Sequence, residues 1–163
     1  MNIPLRPIAL ALITLVFSFT FLQRAQAGGG HFFAPVTDTV VKAECGSCHL
    51  AYPPSMLPSR SWTLIMADLK KHFGDDASLD AATTERIARY LNDNAADTGG
   101  QRFGRKLLRG VSLENPTLRI TELPKWVSEH RKISPGEWKR KDVVSKTNCV
   151  ACHADAERGY FNE

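Results

Sequence analysis

Cys45-Gly46-Ser47-Cys48-His49 has a second copy late in the chain, Cys149-Val150-Ala151-Cys152-His153. Both copies read C-x-x-C-H. In this pattern two thiols can bond the two vinyl groups of one porphyrin, and the adjacent histidine can reach an axial face of its iron. All four cysteines of the chain belong to these copies. The pattern therefore predicts two covalently attached haem c groups, each with its iron, at Cys45, Cys48 and His49 and at Cys149, Cys152 and His153.

Three other uses of paired cysteines fit the sequence less well. A disulfide within each motif gives no reason for a histidine to follow the second cysteine directly. Four thiolates suit tetrahedral zinc, but the pairs of such sites usually lie far closer together than the roughly one hundred residues between these two. A thioredoxin-like motif requires a βαβ pattern around it, which the sequence does not show.

The N-terminus has the pattern of an export signal. Arg6 precedes an apolar run over residues 8–22, and Ala25-Gln26-Ala27 then forms a small-x-small cleavage site. The run is shorter than the ~20 residues that a membrane-spanning helix needs. We therefore expect residues 1–27 to be a cleaved signal peptide and residues 28–163 to form one small domain, with no stable membrane insertion after cleavage.

The charge balance argues against a nucleic-acid partner. The full chain has 21 basic and 17 acidic residues, and loss of Arg6 and Arg24 with the signal leaves 19 basic residues. Four haem propionates would subtract four charges and two ferric porphyrin cores would add two, so the oxidised holoprotein would be near neutral. A high isoelectric point is therefore poor grounds for nucleic-acid binding. The most basic stretch of the chain, residues 102–109, contains Arg102, Arg105, Lys106 and Arg109. It would guide an acidic partner if it flanked an exposed haem edge.

Local patterns predict an all-α domain whose long loops wrap around the two haems. Asp38 is a candidate cap for a helix over 39–49 that ends on the first motif. Prolines then exclude a helix over 50–58. Ser59 or Ser61 should begin an amphipathic helix ended by Gly74, whose apolar positions are Trp62, Ile65, Met66, Leu69 and Phe73.

The second half of the domain is predicted to be helical in shorter pieces. Asp80 should start a helix that continues to about residue 95, whereas residues 100–123 show no strong period. Pro124 suits the first turn of a short helix that carries His130. Ser134 should begin another one, and Ser145 the last turn before the second motif.

Each iron needs a sixth ligand in addition to His49 or His153. The candidates in the predicted mature chain are His31, His72, His130, Met56 and Met66. Met66 fits the apolar period of its helix, which favours a packing role. Met56 lies only seven residues after His49, and His31 lies on a glycine-rich arm. His72 and His130 are favoured because each is predicted on an amphipathic helix, 23 residues from the nearer motif histidine.

Blocks between the motifs carry a resemblance to a known family. ECGSCHLAYPPSMLPSRSW, KHFGDDASLD, KWVSEH and NCVACHADAERGYF resemble the dihaem cytochrome c family of the bacterial periplasm. The resemblance implies bis-histidine ligation with His72 and His130 as sixth ligands. It also implies a soluble electron shuttle in the periplasm of a Gram-negative bacterium. It further implies redox protein partners, since some family members are paired with a monohaem oxygen-binding cytochrome or with a membrane cytochrome b.

Two function classes remain open on the sequence. An electron-transfer protein, with no catalytic residue, is favoured because two side-chain ligands leave an iron no vacant position. The alternative is a small haem enzyme of the peroxidase or oxygen reductase type, in which one sixth ligand can be displaced. We assign His72 to the first haem and His130 to the second on sequence proximity alone.

Overall fold

Six short α-helices form the regular structure of a computed structural model that describes residues 31–99, 102–112 and 114–162. They are α1 (Thr39–Cys45), α2 (Ser59–Ala67), α3 (Ala81–Asp93), α4 (Arg102–Leu107), α5 (Pro124–His130) and α6 (Pro135–Trp138). Short 3-10 turns cover Pro54–Met56, Leu69–Lys71, Ile120–Glu122, Cys149–Ala151 and Ala156–Arg158. Within these ranges the only β pairing is two isolated bridges. The all-α prediction is confirmed, whereas the predicted signal peptide lies outside the described residues.

The two longest helices, α2 and α3, enclose the apolar core. Trp62, Ile65 and Met66 of α2 are buried, and they belong to one cluster with Ile87 and Leu91 of α3. Their burial removes apolar surface from water and supplies the main driving force for folding. No helix within the described ranges is long and apolar enough to span a bilayer.

Asp38 caps α1, as its position predicted. Its carboxylate accepts hydrogen bonds from the backbone N–H groups of Val40 and Val41, at 2.8 and 3.1 Å. The guanidinium of Arg86 on α3 donates to the same carboxylate at 2.8 Å and lowers the pKa of Asp38 below its ordinary value. These bonds tie α1 to the core. Because α1 ends at Cys45, they also position the first motif.

The helix predicted to end at Gly74 is shorter than the sequence indicated. It ends at Ala67, and the chain then makes a 3-10 turn and reverses at Phe73 and Gly74, where φ is 56° and 121°. His72 and Asp75 exchange backbone hydrogen bonds across that reversal, at 2.9 and 3.1 Å. The tight turn therefore takes the bonds that a longer helix would have used. His72 lies on a turn, and Phe73 is 41% exposed, so neither lies on the predicted helix face.

Three smaller predictions also differ from the structure. The first motif follows α1 as turns, since the helix ends at Cys45 and does not reach His49. Asn148, not Ser145, precedes the 3-10 turn of the second motif. The sequence did not predict α4, a six-residue helix in the stretch without a strong period. Gly104 explains the position of α4: a Cβ there would come within 2.7 Å of the Ser55 carbonyl oxygen, so only glycine allows this close approach.

The described part of the N-terminal arm, residues 31–37, is extended and holds the segment that follows the second motif. The Phe33 N–H donates to the Gly159 carbonyl at 2.8 Å, and the Phe161 N–H donates to the His31 carbonyl at 3.0 Å. The buried ring of Phe33 packs edge-on against Phe161, with ring centroids 5.7 Å apart. The two ends of the described chain therefore meet beside His153.

Candidate haem-binding sites

Four histidines lie in two pairs. The ring centroids of His49 and His72 are 6.2 Å apart, and those of His130 and His153 are also 6.2 Å apart. A metal–imidazole bond is about 2 Å and its nitrogen lies about 1 Å from the ring centre, so opposite ligands of one ion have centroids about 6 Å apart. Each pair therefore has the spacing of two axial ligands on one iron.

Backbone carbonyls orient three of these four rings. The Nδ1 atom of His49 lies 2.7 Å from the Leu50 carbonyl oxygen, that of His130 lies 2.8 Å from the Trp126 carbonyl, and that of His153 lies 3.2 Å from the Asn162 carbonyl. An Nδ1–H that donates to a carbonyl leaves the lone pair on Nε2, the nitrogen that would bind the metal. These bonds fit metal-ligating histidines.

The first site is built from α1, the loop after it and the turn at His72. Cys45 is half-buried against the core and Cys48 is exposed. Burial raises the pKa of the Cys45 thiol, and the nearby Glu44 adds to that effect. Burial also lowers the pKa of His72, as does the neighbouring His49. A lowered pKa favours the neutral imidazole, which is the form that binds a metal.

The second site combines the 3-10 turn of its motif with α5. The His153 N–H donates to the Cys149 carbonyl at 2.8 Å, which holds the cysteine and the histidine of the motif together. Burial is the main cause that raises the pKa of the Cys149 thiol to about 11. His130, at the end of α5, stacks on the Trp126 indole with centroids 4.1 Å apart and ring planes 12° apart. A helix and an aromatic ring therefore hold this imidazole.

A cavity of about 660 Å³ joins the two motif regions. One wall comes from residues 46–51, around Cys48 and His49. The facing wall comes from the segment before and within the second motif and includes Val144, Thr147 and Val150. Its volume lies in the range of cofactor pockets. None of the described residues of α4 lines it.

The other three candidates for a sixth ligand have contacts of a different kind. Met56 and Met66 are 4% and 8% exposed and belong to the apolar core. The His31 ring packs against Phe103 with centroids 4.3 Å apart, and its Nδ1 lies 3.7 Å from a Glu129 carboxylate oxygen. None of these contacts brings the side chain of Met56, Met66 or His31 to a motif histidine.

The cysteines do not gather into a zinc site. No disulfide joins any two of the four cysteines. Among the described residues no group of three or more histidine, cysteine, aspartate or glutamate side chains is arranged to hold a metal ion by itself. A porphyrin supplies four of the six ligands of its iron, so two histidines suffice at each site.

A sequence profile of the family described as dihaem cytochrome c matches residues 41–161, a span that includes both motifs and both histidine pairs. The chain belongs to this family. As a dihaem cytochrome c, it carries two covalently bound haem c groups with iron and functions in haem-based electron transfer. The search of curated proteins found no significant match.

Solved structures agree with this assignment. A diheme cytochrome c from Rhodobacter sphaeroides is 48% identical with a TM-score of 0.71, and the match covers 78% of this chain and 99% of that one. A second structure, of the protein purified from the same organism, is 44% identical with a TM-score of 0.64 and the same coverages. A diheme cytochrome type c from Shewanella baltica is 37% identical with a TM-score of 0.60, covering 76% of this chain and 86% of that one.

Sequence reasoning missed two features near the sites of this cytochrome. Tyr52 stacks on His49, with centroids 4.8 Å apart and planes 19° apart. Its place three residues after the motif histidine was a signal, but a proline-rich loop does not show which way a ring faces. The other feature is the basic segment 139–146, whose exposed lysines precede the second motif. They were overlooked because Asp142 interrupts the run.

Proposed function

We propose that this dihaem cytochrome c is a periplasmic one-electron carrier in which two histidines bind each iron. His49 and His72 would serve the haem attached to Cys45 and Cys48. His130 and His153 would serve the haem attached to Cys149 and Cys152. The observation that carries the proposal is the 6.2 Å separation of the ring centroids in each histidine pair. This separation supports the pairing that sequence proximity also favours, which assigns His72 to the first haem and His130 to the second.

The bound haem supplies reversible one-electron exchange at its iron. The two histidines proposed at each site would hold that iron in one coordination state. The Leu50, Trp126 and Asn162 carbonyls each face the Nδ1 of a histidine and fix its tautomer. With two histidines bound to each iron, peroxide or oxygen would have no open position to enter, which favours a carrier over the haem-enzyme alternative.

An electrochemical titration tests this function. The holoprotein is expected to take up two electrons reversibly, one at each haem, and to show no catalytic turnover when hydrogen peroxide or nitrite is added. The measurement is the visible spectrum recorded against applied potential, with the catalytic current followed in the same cell. A sustained catalytic current with either substrate would move the protein to the enzyme class.

Its partners would be other redox proteins, as the family resemblance implies: a monohaem oxygen-binding cytochrome or a membrane cytochrome b. Lys139, Lys141 and Lys146 are exposed and form no ion pair with a described carboxylate, whereas Arg140 between them pairs with Glu137 and Asp142. This segment continues into the cavity wall shared by both motifs. Its lysines are therefore better placed than α4 to guide an acidic partner to the haems.

Charge reversal separates the two basic surfaces. The triple change Lys139→Glu, Lys141→Glu and Lys146→Glu should slow reduction by an acidic flavodoxin by about tenfold at low salt, because steering by opposite charge is lost. The difference should fade as salt screens it. The matched control reverses Arg105, Lys106 and Arg109 and changes the net charge equally. If the stopped-flow rate of reduction falls more in the control variant than in the triple lysine variant, the docking surface is the basic stretch 102–109.

A further inference from the structure

We infer that Tyr52 is a positioning residue that joins the two haem sites. Its ring packs against His49, the motif histidine of the first site, and its hydroxyl bonds the backbone that leads into Cys149 of the second site. Tyr52 lies outside both C-x-x-C-H motifs. The inference rests on the proposed function, since it takes His49 as an iron ligand and Cys149 as a haem attachment point.

The ring of Tyr52 sets the plane of the His49 imidazole. Their centroids are 4.8 Å apart and their planes 19° apart, which is a stacked arrangement. At the edge of the His49 imidazole, Nδ1 is 2.7 Å from the Leu50 carbonyl. A hydrogen bond in the ring plane and an aromatic face against the ring leave the imidazole little freedom to rotate. The orientation of an axial imidazole is one means by which a protein tunes its haem.

The hydroxyl of Tyr52 reaches the other motif. It donates a hydrogen bond to the Thr147 carbonyl oxygen at 2.8 Å, between residues 95 apart in sequence. The same carbonyl accepts the Cys149 N–H at 3.0 Å. Thr147 is thus a shared acceptor for the tyrosine of the first site and the cysteine of the second.

These contacts form a short continuous path from His49 through the Tyr52 ring, its hydroxyl and the Thr147 carbonyl to Cys149. Tyr52 is half-buried and packs against the core, whereas the bond from its hydroxyl to Thr147 is exposed to solvent. The core contacts of Tyr52 therefore hold its hydroxyl in place at this bond.

Because this path holds His49 at one end and the backbone at Cys149 at the other, it should control the rate of electron exchange between the two sites. In that exchange one site is oxidised by one electron as the other is reduced by one, and no covalent bond changes. Its rate depends on the distance and orientation of the two sites. Loss of the Tyr52 hydroxyl would release the segment before Cys149, and loss of the whole ring would also release the His49 imidazole.

Three variants of the holoprotein separate these roles. Tyr52→Phe keeps the ring and removes the hydrogen bond, whereas Tyr52→Leu removes both. The matched control is Tyr90→Phe on α3. Tyr90 is also half-buried, and its hydroxyl accepts an exposed hydrogen bond from the Thr37 N–H at 2.9 Å, a residue of neither motif. A difference between Tyr52→Phe and Tyr90→Phe then reports the bond to Thr147 and not the general loss of a tyrosine hydroxyl.

Two readouts test the inference. Electron paramagnetic resonance of the oxidised protein reports the ring orientation at each low-spin iron, and relaxation after a one-electron pulse reports exchange between the sites. We expect Tyr52→Leu to shift one of the two low-spin signals and Tyr52→Phe to slow exchange several-fold, with Tyr90→Phe unchanged in both. An unshifted signal in Tyr52→Leu, or an exchange rate in Tyr52→Phe equal to that of Tyr90→Phe, overturns the inference. A high-spin signal in the unmodified protein would instead mean that the proposed bis-histidine ligation has failed.

Discussion

Replacing His72 with alanine is expected to convert one of the two irons from a six-coordinate low-spin form to one that binds carbon monoxide. His130→Ala should do the same at the other iron. In each case the substitution removes one member of a histidine pair whose ring centroids are 6.2 Å apart, and alanine offers no donor to replace it. The absorption spectrum of the reduced variants, titrated with carbon monoxide, should show one binding iron per molecule for each single variant and two for the double variant.

His31→Ala is the matched control for these substitutions. Its ring lies against Phe103 and near Glu129, not opposite a motif histidine, so its removal should leave both irons low-spin. If His72→Ala or His130→Ala stays fully low-spin, the sixth-ligand role must be assigned to another side chain. If His31→Ala binds carbon monoxide, the arm supplies a ligand that we have assigned elsewhere.

The second large effect is on covalent haem content. The unmodified holoprotein should exceed the mass of its polypeptide by two haems, because each motif supplies two thiols for one porphyrin. Changing Cys45 and Cys48 together to alanine should reduce the excess to one haem under denaturing conditions, since histidine ligation does not survive unfolding. Changing Cys149 and Cys152 together should give the same loss, and intact-mass spectrometry measures both.

The two double variants control for each other, because each leaves the other motif complete. A double variant that retains two haems would show that its cysteines are not attachment points. An unmodified protein with one haem or none would contradict the reading of both motifs.

The sequence predicted those features of the fold that depend on a few neighbouring residues. Asp38 and Asp80 cap helices because a carboxylate at that position bonds the first free N–H groups, whatever the rest of the chain does. Ser134 likewise accepts the Glu137 N–H. The C-x-x-C-H copies are equally local, so their chemistry could be read without knowing how they meet in space.

Features that depend on distant contacts were beyond the sequence. His72 was expected on a helix, yet it lies at a reversal in which Phe73 adopts a positive φ that propensity alone disfavours. The six-residue helix α4 packs closely beside Ser55, an approach that Gly104 allows and that the local sequence pattern does not show. The bond from Tyr52 to Thr147 spans most of the described chain. In each case tertiary contacts outweigh the local preference.

The spectrum of the reduced, unmodified holoprotein with and without carbon monoxide tests the central claim most directly. That claim is that two histidines occupy each iron, so the protein exchanges electrons and leaves no position for an external ligand. The account predicts two low-spin haem c groups whose Soret band does not change when carbon monoxide is added. A prompt shift of that band at one or both haems would contradict it, because an iron that binds carbon monoxide readily has an open or weakly held sixth position.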